Sequence, residues 1–406
     1  MGAFVRRFAA IVAIALSMAL AAALGSAGHA PAAPLMPTPD PDQFYAAPAD
    51  LAAHAPGDVL KFREKPWHVY FPTSRVYEVL FRSTDSEGKP IAANATYLLP
   101  QNHQPDGPLM SYQHIINALG TKCKVATKLY TSDPTNLILE MPGLNLVLSR
   151  GWSVVLPDHL GPRMAYGAAK LGGQITLDGI RAVKKIPELG VTHSKVGMGG
   201  YSGGGMATAW AAALAETYAP ELDIVGSAYG GVPMNLTTMA RALGDQPHIA
   251  FGLAAIALIG LEREYPDRLN VADQLNPYGH WLANWVINGC TNEAMFVGAY
   301  KSAGQMTDNK NFMADPGAWQ VLNENSLEFY PGKPDAPVFE WHSPIDGLIP
   351  VDAIDHTLQR YCAAGVELFT MLTPTPDHLS AAPLGMFQAL DWLEKKFQGQ
   401  PTARTC

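Results

Sequence analysis

The chain has 406 residues, 48% of them hydrophobic and only 16% charged, with 37 Gly and 33 Pro. It is too apolar for a disordered chain and too mixed for a membrane-embedded one. At roughly 150 residues per domain the length suggests two or three domains, although one large α/β core with a cap would use most of it. A formal charge of −8 with no basic block argues against nucleic acid as a partner.

Arg6 and Arg7 precede an apolar run, Phe8 to Leu24, and then the small residues Gly25, Ser26, Ala27 and Gly28. This is the charged, apolar, small-residue order of a secretory leader. Pro31 disfavours cleavage after Ala30, so residues 1–27 are read as the leader and the chain as secreted, extracellular or cell-envelope associated. The competing reading is an uncleaved membrane anchor. Once the leader is removed, no transmembrane segment is expected. Cys123, Cys290, Cys362 and Cys406 form no C-x-x-C pair, which disfavours zinc and thioredoxin-type chemistry. Four cysteines allow three pairings and sequence alone does not choose; export favours two disulfides over free buried thiols.

Residues 28–60 are rich in Pro, Ala and Asp and read as an arm with little regular structure. Strand-like Val76–Phe81 and Ala92–Leu99 flank the turn formers Asp85-Ser86-Glu87-Gly88, which predicts an antiparallel pair. Short apolar strands then alternate with helical stretches. The strands are Leu109–His114, Trp152–Pro157, Lys195–Gly199, Ile224–Tyr229, Val338–His342 and Glu367–Leu372. The helices are Ala165–Ile186, Met206–Tyr218, Asp352–Cys362 and Pro383–Phe397, the last with Pro in its first turn. The alternation predicts a mainly parallel sheet covered on both faces. Between Tyr229 and Val338 lie about a hundred residues, far more than an ordinary βα connection. They form an insertion with its own helices, including the uncharged run Ile249–Leu261, too short to span a bilayer.

Gly200-Tyr201-Ser202-Gly203-Gly204 is a G-x-S-x-G motif with a strand before it and an Ala-rich helix after it. A sharp strand-to-helix turn of this kind lifts a serine hydroxyl above the sheet and leaves no room for flanking side chains. Ser202 is therefore the candidate nucleophile. A serine needs a histidine base and an acid to orient that base, and here the expected chain order is Ser, acid, His. Asp346 follows the strand Val338–His342, and His378 follows the strand Glu367–Leu372. His342 precedes the acid loop, and His356, Asp352 and Asp355 fall on or beside a helix. Asp377 adjoins His378 and would point elsewhere. Asp158 and His159 precede Ser202 and are read as structural supports. The oxyanion needs two fixed donors. One is the N–H of Gly203; the other comes from Ile115–Gly120, where Asn117 is the polar candidate. No metal or cofactor is called for.

Several motifs occur in order from about Phe62 to Cys406: Ser111-Tyr112-Gln113, Asp158-His159, Leu177–Ala182, the Ser202 motif, Ala219–Leu222, Val225–Pro233 and Trp341-His342 with Asp346 and Pro350. The set resembles the secretory lipases of the Candida antarctica lipase A type. That resemblance implies an α/β-hydrolase core with a mainly parallel eight-stranded sheet, in residues 61–233 and 331–406. It also implies a mostly helical cap or lid in residues 234–330 and a Ser202–Asp346–His378 triad. The family's early oxyanion residue, an aspartate, falls on Asn117, which implies altered pH dependence and not lost activity. Its disulfides fall on Cys123–Cys290 and Cys362–Cys406. The implied activity is hydrolysis of carboxylic esters of lipids, as triacylglycerol lipase or carboxylesterase, with a lipid–water interface as a partner surface. An acyltransferase or serine peptidase of the same fold is the alternative, and a binding module would require a lost triad member. Ile249–Leu261 is either a wall for an acyl chain or a core helix of the cap. Asn94 and Asn235 head Asn-x-Thr sites, glycan acceptors in a host that glycosylates secreted proteins.

Overall fold

A computed structural model of the chain describes residues 35–406; the leader, its cleavage site and the first residues of the arm lie outside the described residues. Nine strands make one sheet: β1 (Val59–Lys65), β2 (Ser74–Thr84), β3 (Pro90–Pro100), β4 (Leu109–Gln113), β5 (Ser153–Pro157), β6 (Val196–Tyr201), β7 (Ile224–Gly230), β8 (Val338–His342) and β9 (Leu368–Leu372). Their order is β1-β2-β3-β5-β4-β6-β7-β8-β9. The first three strands and the β3–β5 contact are antiparallel, and every contact from β5 to β9 is parallel. This is an α/β-hydrolase sheet.

The eight expected strands are present, and the ninth corrects the count. β1 is an edge strand pairing with β2 at Lys61↔Leu80 and Phe62↔Val79, and none of its residues is fully buried. Its Lys and Arg residues protect an exposed edge and hide the apolar alternation that marks the other strands. The interior strands carry the core: Leu98, Val154, Val155, Val196 and Met198 are fully buried. The opposite edge, β9, is covered by the C-terminal tail, where the Thr405 N–H donates to the Leu368 carbonyl at 2.6 Å. The Cys362–Cys406 disulfide holds that tail.

Helices α1 (Met141–Ser149), α2 (Ala169–Lys184) and α3 (Ser202–Tyr218) connect the central strands. Between β7 and β8 lie α4 (Leu236–Gly244), α5 (Phe251–Glu264), α6 (Pro277–Val286), α7 (Thr291–Gly298) and α8 (Pro316–Glu324). α9 (Val351–Ala363) and α10 (His378–Phe397) complete the series. The Cys123–Cys290 disulfide joins the segment after β4 to the residue that precedes α7. One helix start is corrected. α10 begins five residues before Pro383, because the Asp377 side chain accepts from the Ser380 N–H and caps the helix there. Pro383 therefore sits inside the helix.

Both glycan-site asparagines make hydrogen bonds in the fold. The Asn94 amide, within β3, donates to the Asp158 carboxylate. Asn235 is buried at the N-cap of α4 and donates to Glu328 at 2.7 Å.

Candidate active site

β6 ends at Tyr201 and α3 begins at Ser202, so the chain turns from strand to helix with no intervening loop. Ser202 takes φ +54°, a left-handed conformation that costs a non-glycine residue on the order of 1–2 kcal/mol. A Cβ on Gly204 would overlap the Gln113 backbone carbonyl, which requires glycine there, and one on Gly203 would displace the Asn117 side-chain oxygen. The free N–H groups of the first turn of α3 and its dipole favour negative charge beside Ser202.

Three sequence-selected residues meet here. The Ser202 hydroxyl donates to His378 Nε2 at 2.8 Å, and His378 Nδ1 donates to Asp346 Oδ2 at 2.7 Å. The other oxygen of Asp346 accepts the N–H groups of Leu348 and Ile349 at 2.9 and 3.0 Å. Burial alone would raise the Asp346 pKa. The His378 hydrogen bond and charge, with the two backbone donors, outweigh it and hold the carboxyl below its ordinary value.

His378 is the first residue of α10, and its place is fixed by groups that motif reasoning did not assign. The Tyr201 hydroxyl donates to the His378 carbonyl at 2.5 Å, and the two rings lie 5.0 Å apart. Trp341 Nε1 donates to the Ala381 carbonyl in the first turn of α10. Gly231, at φ +53°, passes so close that a Cβ would come within 2.8 Å of both the Tyr201 and His378 rings. Tyr201 stood in the motif and Trp341 beside His342, but neither carries chemistry of its own that would single it out.

The rivals lie elsewhere. His342 is buried against Glu340 on the same strand, with its Nδ1 2.9 Å from the carboxylate. His356 is exposed and faces Glu328; Asp352 and Asp355 are exposed on α9. Asp158 accepts from the Val125 N–H and from Asn94, and His159 Nε2 donates to the His114 carbonyl at 3.0 Å. Burial pushes the His159 pKa down to about 4, against the opposing pull of that carbonyl, and so keeps the ring neutral.

Asn117 lies beside Gly203 on the loop after β4. The Thr291 hydroxyl donates to its carbonyl at 3.0 Å, while its buried side-chain oxygen has no hydrogen-bond partner. The loop is also held from behind: the Ile115 N–H donates to Glu140 at 2.9 Å, and Tyr112 donates to the same carboxylate. Glu140 carried no sequence signal, being one acidic residue before a helix.

An apolar cavity of about 140 Å³ opens between the insertion and the core. Met206, one helical turn beyond Ser202, and Tyr166 line it from the core. Leu236, Phe251, Leu258 and Leu282 line it from the insertion. Among the described residues, no three His, Cys, Asp or Glu side chains are grouped to hold a metal.

The secretory lipase family model matches residues 130–405. Lipase 6 of Candida albicans is 30% identical, over 91% of this chain and 83% of its own length. A Mycobacterium tuberculosis protein named probable inactive lipase MT1628 is 31% identical, over 91% of this chain and 84% of its own. The structure of Candida antarctica lipase A in its closed state matches with a TM-score of 0.83 and 26% identity, covering 91% of this chain and 89% of that one. The chain belongs to the secretory lipase family of ester hydrolases.

Proposed function

We propose that the protein is an exported lipase or carboxylesterase that cleaves lipid esters through an acyl-enzyme on Ser202. The observation that carries this reading is the unbroken line from the Ser202 hydroxyl through His378 to Asp346, at 2.8 and 2.7 Å. One similar protein is named a probable inactive lipase; here the line of groups from Ser202 to Asp346 is complete.

His378 takes the Ser202 proton as the hydroxyl attacks the ester carbonyl and returns it to the departing alcohol. Asp346 fixes the ring tautomer and offsets the imidazolium charge. The oxyanion is met by the N–H of Gly203 and by Asn117, through its backbone and, with the amide turned over, its NH₂ group. Water, activated by the same His378, then releases the acid.

Three observations favour lipid over smaller esters. The cavity beside Met206 is walled by α5, the helix formed by the Ile249–Leu261 run, and each methylene buried there is worth about 0.8 kcal/mol. α6 turns Leu282 to the cavity and Tyr278, Trp281 and Trp285 outward, with Trp281 and Trp285 49% and 61% exposed. From Pro277 to Asn292 there is no Asp, Glu, Lys or Arg. An outward aromatic face without charge suits a neutral lipid surface, and the insertion then serves as the cap over the site. Two disulfides accord with an oxidising destination.

The test is hydrolysis of nitrophenyl esters of increasing chain length, with Ser202→Ala as control. Rates that rise with chain length and vanish in the variant are expected. Activity that survives the substitution overturns the assignment. Rates that fall beyond short chains make the protein an esterase of small substrates.

A further inference from the structure

Arg263, near the C-terminus of α5, is 1% exposed and among the largest fully buried side chains of the protein. Its guanidinium donates to five backbone carbonyls: Leu35 at 2.7 Å, Leu119 at 2.7 Å, Arg163 at 3.0 Å, Met164 at 3.1 Å and Ile287 at 3.0 Å. None of the five belongs to α5. A basic residue serving only to complete the end of its own helix would bond the last carbonyls of that helix. Burial lowers the Arg263 pKa to about 10, which leaves it charged at neutral pH. The planar fork offers five N–H groups in fixed directions, an arrangement the point-like ammonium of lysine does not reproduce.

Two of these acceptors stand on either side of one seam. Leu119 belongs to the loop that carries Asn117, and Ile287 belongs to the turn between α6 and α7. The same two segments are joined by the Leu119 and Gly120 N–H groups, which donate to the Gly289 carbonyl at 3.1 and 3.2 Å. They are joined again by Thr291 on the Asn117 carbonyl and by the Cys123–Cys290 disulfide. Among the described residues, Arg263 is the side chain that bonds both segments and the core loop after β5 together.

We propose that Arg263 is a positioning residue for ester hydrolysis: it fixes the loop Ile115–Gly120 against the insertion and thereby sets where the Asn117 donor stands. This rests on the reading of Asn117 as an oxyanion donor. Donor placement matters steeply, since a missing oxyanion contact typically costs about 10²–10³ in kcat and small displacements cost part of that.

The experiment compares Arg263→Lys with Glu264→Gln in the full chain. Glu264 lies on the same helical turn, is equally buried and pairs with Arg163, but does not touch the loop. Thermal unfolding, kcat and KM on soluble nitrophenyl butyrate, and hydrogen exchange at the Leu119 and Gly120 amides are measured for each. Arg263→Lys is expected to lower kcat by about 10- to 100-fold with KM within about twofold, and to speed exchange at both amides. Glu264→Gln is expected to lower the unfolding temperature while leaving kcat within about twofold. Unchanged exchange in Arg263→Lys overturns the proposal, as does an equal loss of kcat in Glu264→Gln. Faster exchange with unchanged kcat overturns instead the oxyanion reading of the loop. Should Arg263→Lys fail to fold, Thr291→Val loosens the same seam without touching a buried charge, and an unchanged kcat there overturns the positioning role.

Discussion

The side-chain oxygen of Asn117 rests against Gly203, at a point where a Cβ on Gly203 would overlap it. The two candidate oxyanion donors are thus in contact, and a neutral amide occupies the position where the resembling family has a carboxylic acid. An amide does not titrate. Asn117→Asp would place a carboxyl in a buried site, where its pKa rises. Protonated, it mimics the amide; ionised, it repels the oxyanion. The ratio of variant to parent kcat is expected to fall about tenfold or more as pH rises through that pKa, measured on a soluble ester from pH 5 to 9. A flat ratio would place Asn117 outside the oxyanion contact.

Asp346→Asn keeps the shape of the site but gives His378 Nδ1 a partner that can donate, which favours the tautomer unable to accept the Ser202 proton. A loss of about 10³–10⁴-fold in kcat is expected, with little change in unfolding temperature. Loss of less than tenfold would mean that another carboxylate orients the ring. Glu340 is the obvious rival, but it already holds His342.

Much of this site is legible in sequence because its chemistry is tied to the ends of strands. Ser202 and Asp346 each follow a fully buried apolar strand, and His378 follows the half-buried edge strand β9, so position and residue type agree. Tyr201, Trp341 and Glu140 were not legible. They act by where their polar atoms reach in space, on His378, Ala381 and Ile115, and such contacts leave no period or spacing in the chain. β1 is hidden for a related reason: an edge strand written as Val-Leu-Lys-Phe-Arg-Glu-Lys has the charge of a loop. Pro383 mimics a first-turn proline from inside α10, whereas the capping residue is Asp377, next to His378.

His159 should make the protein acid-sensitive. Its folded pKa of about 4 lies below the ordinary value of 6.5, so the neutral ring contributes stability above pH 6.5 that is lost as pH falls towards 4. At pH 5 the loss relative to neutral pH is about 2 kcal/mol. His159→Gln retains a donor for the His114 carbonyl and does not titrate. Urea unfolding at pH 7.5 and pH 5 is expected to show a smaller acid loss in the variant by roughly that amount. Equal losses would mean that His159 ionises freely in the fold.

The Cys362–Cys406 bond closes a 44-residue separation and pins the tail along β9. Replacing both cysteines with serine is expected to lower stability by up to about 4 kcal/mol in the chain-entropy account. It should also free the edge of the sheet, so that aggregation on heating increases while kcat at 25 °C changes little. Loss of kcat without loss of stability would show that the tail acts on the site, which lies at the other end of α10.

The outward face of α6 gives a prediction that separates lipid-surface action from chemistry. Trp281 and Trp285 are half-exposed or more, Tyr278 stacks on Trp281 at 5.5 Å, and no charge interrupts the helix. Indole rings so placed partition into the boundary between water and acyl chains. Trp281→Ser with Trp285→Ser is expected to reduce hydrolysis of emulsified triacylglycerol by about fivefold or more, while kcat/KM on nitrophenyl butyrate stays within about twofold. Sedimentation with neutral phosphatidylcholine vesicles should fall in parallel. Equal loss on both substrates would assign these rings to holding the cavity wall, since Leu282 on the opposite face of the same helix lines it.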